Sequence, residues 1–208
     1  MEILSKKISA KIKQELDLDS DKEEVIAYGL FAIIQIITSI LSTLLFGFIF
    51  HVFFESLIVM ITVITLRKYS GGVHAKSPKL CLIFGTIVSV SLGILSKSMF
   101  LIDLDFKYLI LILACAFIFS FYIVYKKAPV GSKNKKIRDE KKLNAMKNGA
   151  LKILSIYLLI VIVCMGFQTI LNRRLSYIIF SIILGRLWQV FTLTKPCAFI
   201  IKKIESII

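Results

Sequence analysis

A histidine and a cysteine seven residues apart stand in the segment Arg67-Lys68-Tyr69-Ser70-Gly71-Gly72-Val73-His74-Ala75-Lys76-Ser77-Pro78-Lys79-Leu80-Cys81. These residue types suit nucleophilic catalysis by a thiol: an imidazole takes the thiol proton, holds it, and returns it to a leaving amine. Ser77 is a good helix N-cap and Pro78 suits the first helical position, so a helix is expected to open here with Cys81 in its first turn or just past it. The unpaired amides and positive dipole end of such a helix favour a thiolate over a thiol. Gly71-Gly72 frees the backbone so that His74 can fold back toward Cys81, and amides at the glycines or the helix start are candidates for an oxyanion site. Arg67, fixed in charge and fork-shaped, is suited to holding a carboxylate of a substrate. The other cysteines, Cys115, Cys164 and Cys197, have neither metal-type nor disulfide-framework spacing, and no metal or cofactor is expected. Cys115 and Cys164 read as small core residues, His51 as a polar residue at a membrane boundary, and Cys197 as a packing or interfacial residue.

The segments on either side of this loop must hold it at a membrane. Of the 208 residues 57% are hydrophobic, against about 45–50% in a soluble domain. The mean hydropathy is +0.84, more apolar surface than a core of this length can absorb. Apolar runs long enough to cross a bilayer, about 20 residues each, resolve the conflict. Six can be drawn, over residues 25–46, 50–66, 80–95, 108–125, 153–171 and 175–193. The first two fuse into a hairpin interrupted near Gly47 and softened by His51 and Glu55. The expected fold is therefore an all-α integral membrane protein, one polytopic domain over residues 1–208, with six transmembrane helices.

Charge sets the orientation. Twenty-two of the 27 lysines and arginines lie in residues 1–24, the 67–79 loop, the 126–152 loop and the C-terminal tail, and four lie between the remaining spans. The positive-inside rule then puts both termini and the 67–81 loop in the cytoplasm. The net charge of +14 would suggest nucleic acid in a soluble protein. Here no zinc ligands, aromatic platform or helix-turn-helix pattern accompanies it, so no nucleic-acid partner is expected.

Both ends read as short amphipathic helices. Ile3, Leu4, Ile8, Ile12 and Leu16 recur near helical spacing among lysines. The segment 1–24 thus lies on membrane lipid or packs its isoleucines on the protein's own spans. Ser20 with Glu23 has capping-box spacing for the helix that follows. Phe199, Ile200, Ile204 and Ile207 with Lys202 and Lys203 form the second such helix. The 126–152 loop, with Lys133, Lys135, Lys136 and Arg138, is a topology determinant, an electrostatic dock, or both. Arg186 lies inside the last span, about 10 Å from its cytoplasmic end by helical rise, and reads as a snorkelling anchor before a cavity residue.

Arg67, Gly71-Gly72, His74-Ala75 and Cys81 together resemble the signature of the AgrB family of Gram-positive bacteria, whose members have this size and several spans. The resemblance implies a membrane-embedded cysteine endopeptidase in the bacterial cell membrane, acting on an AgrD-type quorum-sensing propeptide. It implies Cys81 as nucleophile and His74 as its base and acid. Cleavage of the peptide's C-terminal tail then leaves an acyl-enzyme thioester that an internal thiol or hydroxyl closes to a thiolactone or lactone ring. The basic loop would dock the acidic tail of the propeptide. Asp139, Glu140 and Asn144 are candidates for an orienting third residue by type alone, and a homodimer is left open. The rival expectation is a small transporter or channel without covalent chemistry, which calls for broken helices and facing intramembrane charges.

Overall fold

A computed structural model describes residues 1–73, 77–100, 106–130, 140–168 and 176–205. Among these residues the regular elements are helices: α1 (Glu2–Leu16), α2 (Ser20–Ile49), α3 (Phe53–Ser70), α4 (Pro78–Phe100), α5 (Phe106–Lys127), α6 (Glu140–Gln168), α7 (Ser176–Phe191) and α8 (Lys195–Glu205). The chain forms two compact units, Met1–Ser42 and Thr43–Ile208.

In the first unit α1 ends in a left-handed residue, Asp17 at φ 47°, whose amide returns to the Lys13 carbonyl. Asp19, not Ser20, caps α2: its Oδ1 accepts the Lys22 amide at 2.8 Å. A carboxylate is the better acceptor at the positive end of a helix, so α2 starts one residue earlier than the Ser20–Glu23 spacing suggests. Glu23 instead pairs with Lys13 at 2.8 Å. Ile3, Leu4 and Leu16 of α1 stay exposed, as do Ile33, Ile36, Ile37 and Leu41 along α2, the pattern of surfaces that meet lipid rather than water.

The second unit is built around α3. Its Ser56, Val59, Thr62, Leu66 and Ser70 are buried at helical spacing, and α4, α6 and α7 pack against it. Small residues permit the approach. A Cβ on Gly185 of α7 would stand 3.0 Å from the Val59 carbonyl oxygen, and one on Gly93 of α4 would stand 3.0 Å from the Ser56 amide. Without a hydrophobic drive between helices in lipid, such close backbone contact and interhelical hydrogen bonds carry the association. Ser96 of α4 bonds Ser181 of α7 at 2.9 Å, and Thr65 of α3 shares a hydrogen bond with Tyr157 of α6. Leu113, Phe117 and Val124 of α5 join Leu154 and Val161 of α6 and Ile183 and Val190 of α7 in the apolar core.

Four helices, α2, α4, α5 and α6, are long and apolar enough to cross a membrane, and α7 with α8, bent by 82°, makes a fifth candidate. Among the described residues that gives four to five candidate spans where six were expected. The helix over the expected second span, α3, falls outside the set because its 18 residues include Glu55, Arg67 and Lys68. Residues 50–52 join α2 to α3, with His51 at φ 55° and its carbonyl held by Lys97 at 2.7 Å.

Candidate active site

The Arg67–Cys81 segment is tied down from several elements. Helix α3 ends at Gly71, whose amide closes on the Arg67 carbonyl at 2.9 Å. Gly71 and Gly72 take φ values of 69° and 133°, a backbone path that side-chain-bearing residues rarely follow. Neither position has room for a Cβ: at Gly71 it would run into the Val130 carbonyl oxygen, and at Gly72 it would meet the Thr192 Oγ1 at 2.7 Å. Val130, just after α5, brackets the turn, donating its amide to the Ser70 carbonyl at 2.9 Å and accepting the Gly72 amide at 3.3 Å. From the end of α7, the Thr192 carbonyl accepts the Val73 amide at 3.2 Å. Gln189, one turn earlier, donates from Nε2 to the Gly71 carbonyl at 2.7 Å and to Ser70 Oγ at 3.0 Å.

Arg67 closes the arrangement from α3. It is half-buried, its Nη2 donates to the Val73 carbonyl, and its charge acts on the thiols of both Cys81 and Cys197. One arm of the guanidinium is thus tied to the loop backbone. Cys81 sits where the serine-proline pair places it. Helix α4 opens at Pro78, and the Cys81 amide makes the first full helical turn to the Ser77 carbonyl at 3.0 Å. The Lys79 and Leu80 amides precede that turn and have no intrahelical acceptor, so α4 presents donors beside a half-buried thiol. The glycine amides do not: Gly71 and Gly72 have spent theirs on Arg67 and Val130, which removes them from the expected oxyanion site.

His74 lies outside the described residues, as do Lys133, Lys135, Lys136, Arg138 and the third-residue candidate Asp139. The remaining candidates by type, Glu140 and Asn144, lie on the first turns of α6. One of the cysteine readings changes: Cys115 is exposed on the apolar flank of α5, whereas Cys197, on the first turn of α8, is buried at 2% exposure as a packing residue. Nor does Arg186 snorkel. It is fully buried, its guanidinium lies 3.6 Å over the Phe117 ring, and Nη1 donates to the Ala116 carbonyl at 3.2 Å, anchoring α7 to α5. Gln189 and Thr192 are not among the residues that sequence reasoning singles out, although a signal exists: Gln189 is an amide in an otherwise apolar span, three residues after Arg186.

A family model described as Accessory gene regulator B matches residues 5–193. An AgrB-like protein of Clostridium perfringens strain SM101 is 42% identical over 207 residues, covering 99% of this chain and 97% of the relative. A second, AgrB-like protein 2 of Clostridium perfringens strain 13, is 41% identical with the same coverage. Accessory gene regulator protein B of Staphylococcus intermedius is 26% identical over 187 residues, 90% of each chain. No solved structure matches the chain.

Proposed function

The chain belongs to the accessory gene regulator B family, and on that premise we propose that it is a membrane-embedded cysteine endopeptidase that processes a quorum-sensing propeptide. The observation that supports this reading best is the bracing of the Arg67–Val73 loop beside Cys81. Cys81 lies at a helix start within the field of Arg67, and the same arginine ties down the glycine turn that precedes His74 in sequence, surroundings that suit a cysteine nucleophile.

The proposed reaction has two halves. In the first, His74 takes the Cys81 proton and the thiolate attacks the carbonyl carbon of the scissile peptide bond. Charge developing on the carbonyl oxygen is met by amides at the start of α4. The C–N bond then breaks, His74 protonates the leaving amine, and the C-terminal tail departs, leaving a thioester on Cys81. In the second half a thiol or hydroxyl within the retained peptide gives its proton to His74 and attacks the thioester carbonyl, the C–S bond breaks, and Cys81 leaves as thiolate, giving a thiolactone or lactone. A thioester conserves the acyl reactivity that hydrolysis would discard, and exclusion of water at the bilayer boundary favours ring closure. The test is intact-mass measurement on wild-type protein given a propeptide whose ring-closing nucleophile has been removed. The expected result is a covalent adduct on Cys81 that hydroxylamine releases; cleavage without any adduct would rule out the acyl-enzyme route.

The same reading places six crossings in the membrane, with both termini and the 67–81 loop in the cytoplasm. Reporter fusions after Glu24, Lys142 and Ile208 should report cytoplasm and a fusion near Asp103 the outside; a cytoplasmic Asp103 would remove one pair of crossings. Lys133, Lys135, Lys136 and Arg138 are assigned to docking the acidic tail of the propeptide. Their replacement by Gln should raise KM more than it lowers kcat, because remote contacts contribute uniform binding. An unchanged KM would leave the loop as a topology signal alone.

A further inference from the structure

We propose that Gln189 is the positioning residue of this site, the side chain that fixes where the glycine turn leaves α3 on the way to the histidine that follows it in sequence. The inference rests on the His74–Cys81 reading and adds to it the orienting group that the sequence did not supply.

A primary amide in the middle of an apolar helix is costly unless its hydrogen bonds are used. Gln189 is fully buried and spends both Nε2 hydrogens on one short stretch of chain, Ser70 Oγ and the Gly71 carbonyl. The bond to a carbonyl also settles which end of the amide is nitrogen, since a carbonyl only accepts. Oε1 therefore faces the other way and has no hydrogen-bond partner among the described residues, a buried acceptor beside the turn. One turn further along α7, Thr192 holds the Val73 amide with its carbonyl. Its hydroxyl crowds Gly72 so closely that a side chain there would collide. With Arg67 on the Val73 carbonyl and Val130 on the Gly72 amide, the amides of Gly71, Gly72 and Val73 and the carbonyls of Gly71 and Val73 are all held. Among the described residues, Gln189 is the side chain from another helix in this set of bonds. A purely packing role for α7 would be met by any apolar residue of the same length; the bonds to Gly71 and Ser70 are what only an amide supplies.

The test reads Cys81 directly and needs no propeptide. Full-length protein in membranes is alkylated with iodoacetamide at pH 6.5 and pH 9.5, and labelling of the Cys81 peptide is followed by mass spectrometry. A thiol paired with an imidazole should react at rates within about tenfold of each other at the two pH values, whereas an unpaired thiol differs by about 100-fold. Gln189→Met should lower the pH 6.5 rate at least about tenfold and leave the pH 9.5 rate within about twofold, because access to the sulfur is unchanged. Gln189→Asn keeps the amide but withdraws it by about 1.5 Å, beyond hydrogen-bonding range. It should move the same way, and it carries the test should the Met variant fail to accumulate. Wild-type pH dependence in both variants would overturn the assignment. So would an equal fall at both pH values, the mark of loosened packing alone. A 100-fold dependence in the wild type would remove the His74–Cys81 pair itself and the assignment with it.

Discussion

Cys81→Ala should abolish propeptide processing, with turnover falling by about 10⁴–10⁶-fold while the protein accumulates in the membrane at its normal level. The size of the effect comes from the loss of the covalent route; the other thiol in the field of Arg67, Cys197, is buried at 2% exposure. The preserved abundance comes from the position: Cys81 is the fourth residue of α4 and half-buried, and Ala is the best residue for a helix. Cys81→Ser should be nearly as inactive, since a hydroxyl ionises far less readily than a thiol and yields an oxygen ester where the ring-closing step needs a thioester. The remaining cysteines form a graded control. Cys115→Ala removes a sulfur exposed on α5 and should be neutral. Cys197→Ala removes a buried sulfur beside Arg67 and should cost about 1 kcal/mol of stability and a few-fold in rate. Processing by the Cys81→Ala protein, measured by mass spectrometry of the released tail, would end the assignment of a cysteine endopeptidase.

Local chemistry is legible in the sequence wherever the determinant lies within a few residues. Ser77 and Pro78 announce the start of α4, and with it the place of Cys81, because a cap and a first-turn proline act on their own neighbours. Gly71-Gly72 announces a turn of unusual backbone, and both glycines adopt positive φ. At the start of α2 two adjacent capping residues compete, and the carboxylate of Asp19 prevails over the hydroxyl of Ser20. The long-range part is not legible. The expected second span is the weakest of the six in sequence, short and marked by Glu55, yet the helix there is the centre of the second unit. Its place depends on which helices approach it, and that is decided by Gly93 and Gly185 far along the chain. The three strongest ties on the glycine turn, from Val130, Gln189 and Thr192, come from residues 58 or more positions away and leave no periodic trace. Arg67 shows the same division. Its type gives a fixed charge with fork geometry, but its direction, inward to Val73 and the thiols, is a property of the packed bundle.

His74→Ala tests the other half of the pair, and its signature is a change in pH dependence rather than a simple loss. Removal of a general base and acid should lower turnover by about 10²–10⁴-fold near neutral pH. Two separate contributions disappear. Without the imidazole the thiol must ionise alone, and an ordinary cysteine at pH 6.5 is only about 1% thiolate. The leaving amine also loses its proton donor, a deficit that rising pH does not repair. Acylation by the variant should therefore climb about tenfold per pH unit until the thiol is ionised and then level off, still below wild type. Iodoacetamide alkylation needs only the thiolate, so it isolates the first contribution and should return to the wild-type rate at pH 9.5. The gap between the two measurements at high pH is the share of catalysis that belongs to proton donation. Added imidazole in the millimolar range should narrow that gap, since a free imidazole can supply the missing proton donor. An alkylation profile identical to wild type, with processing lost, would assign His74 to substrate binding and leave the base of Cys81 to be sought among the polar residues at the start of α6.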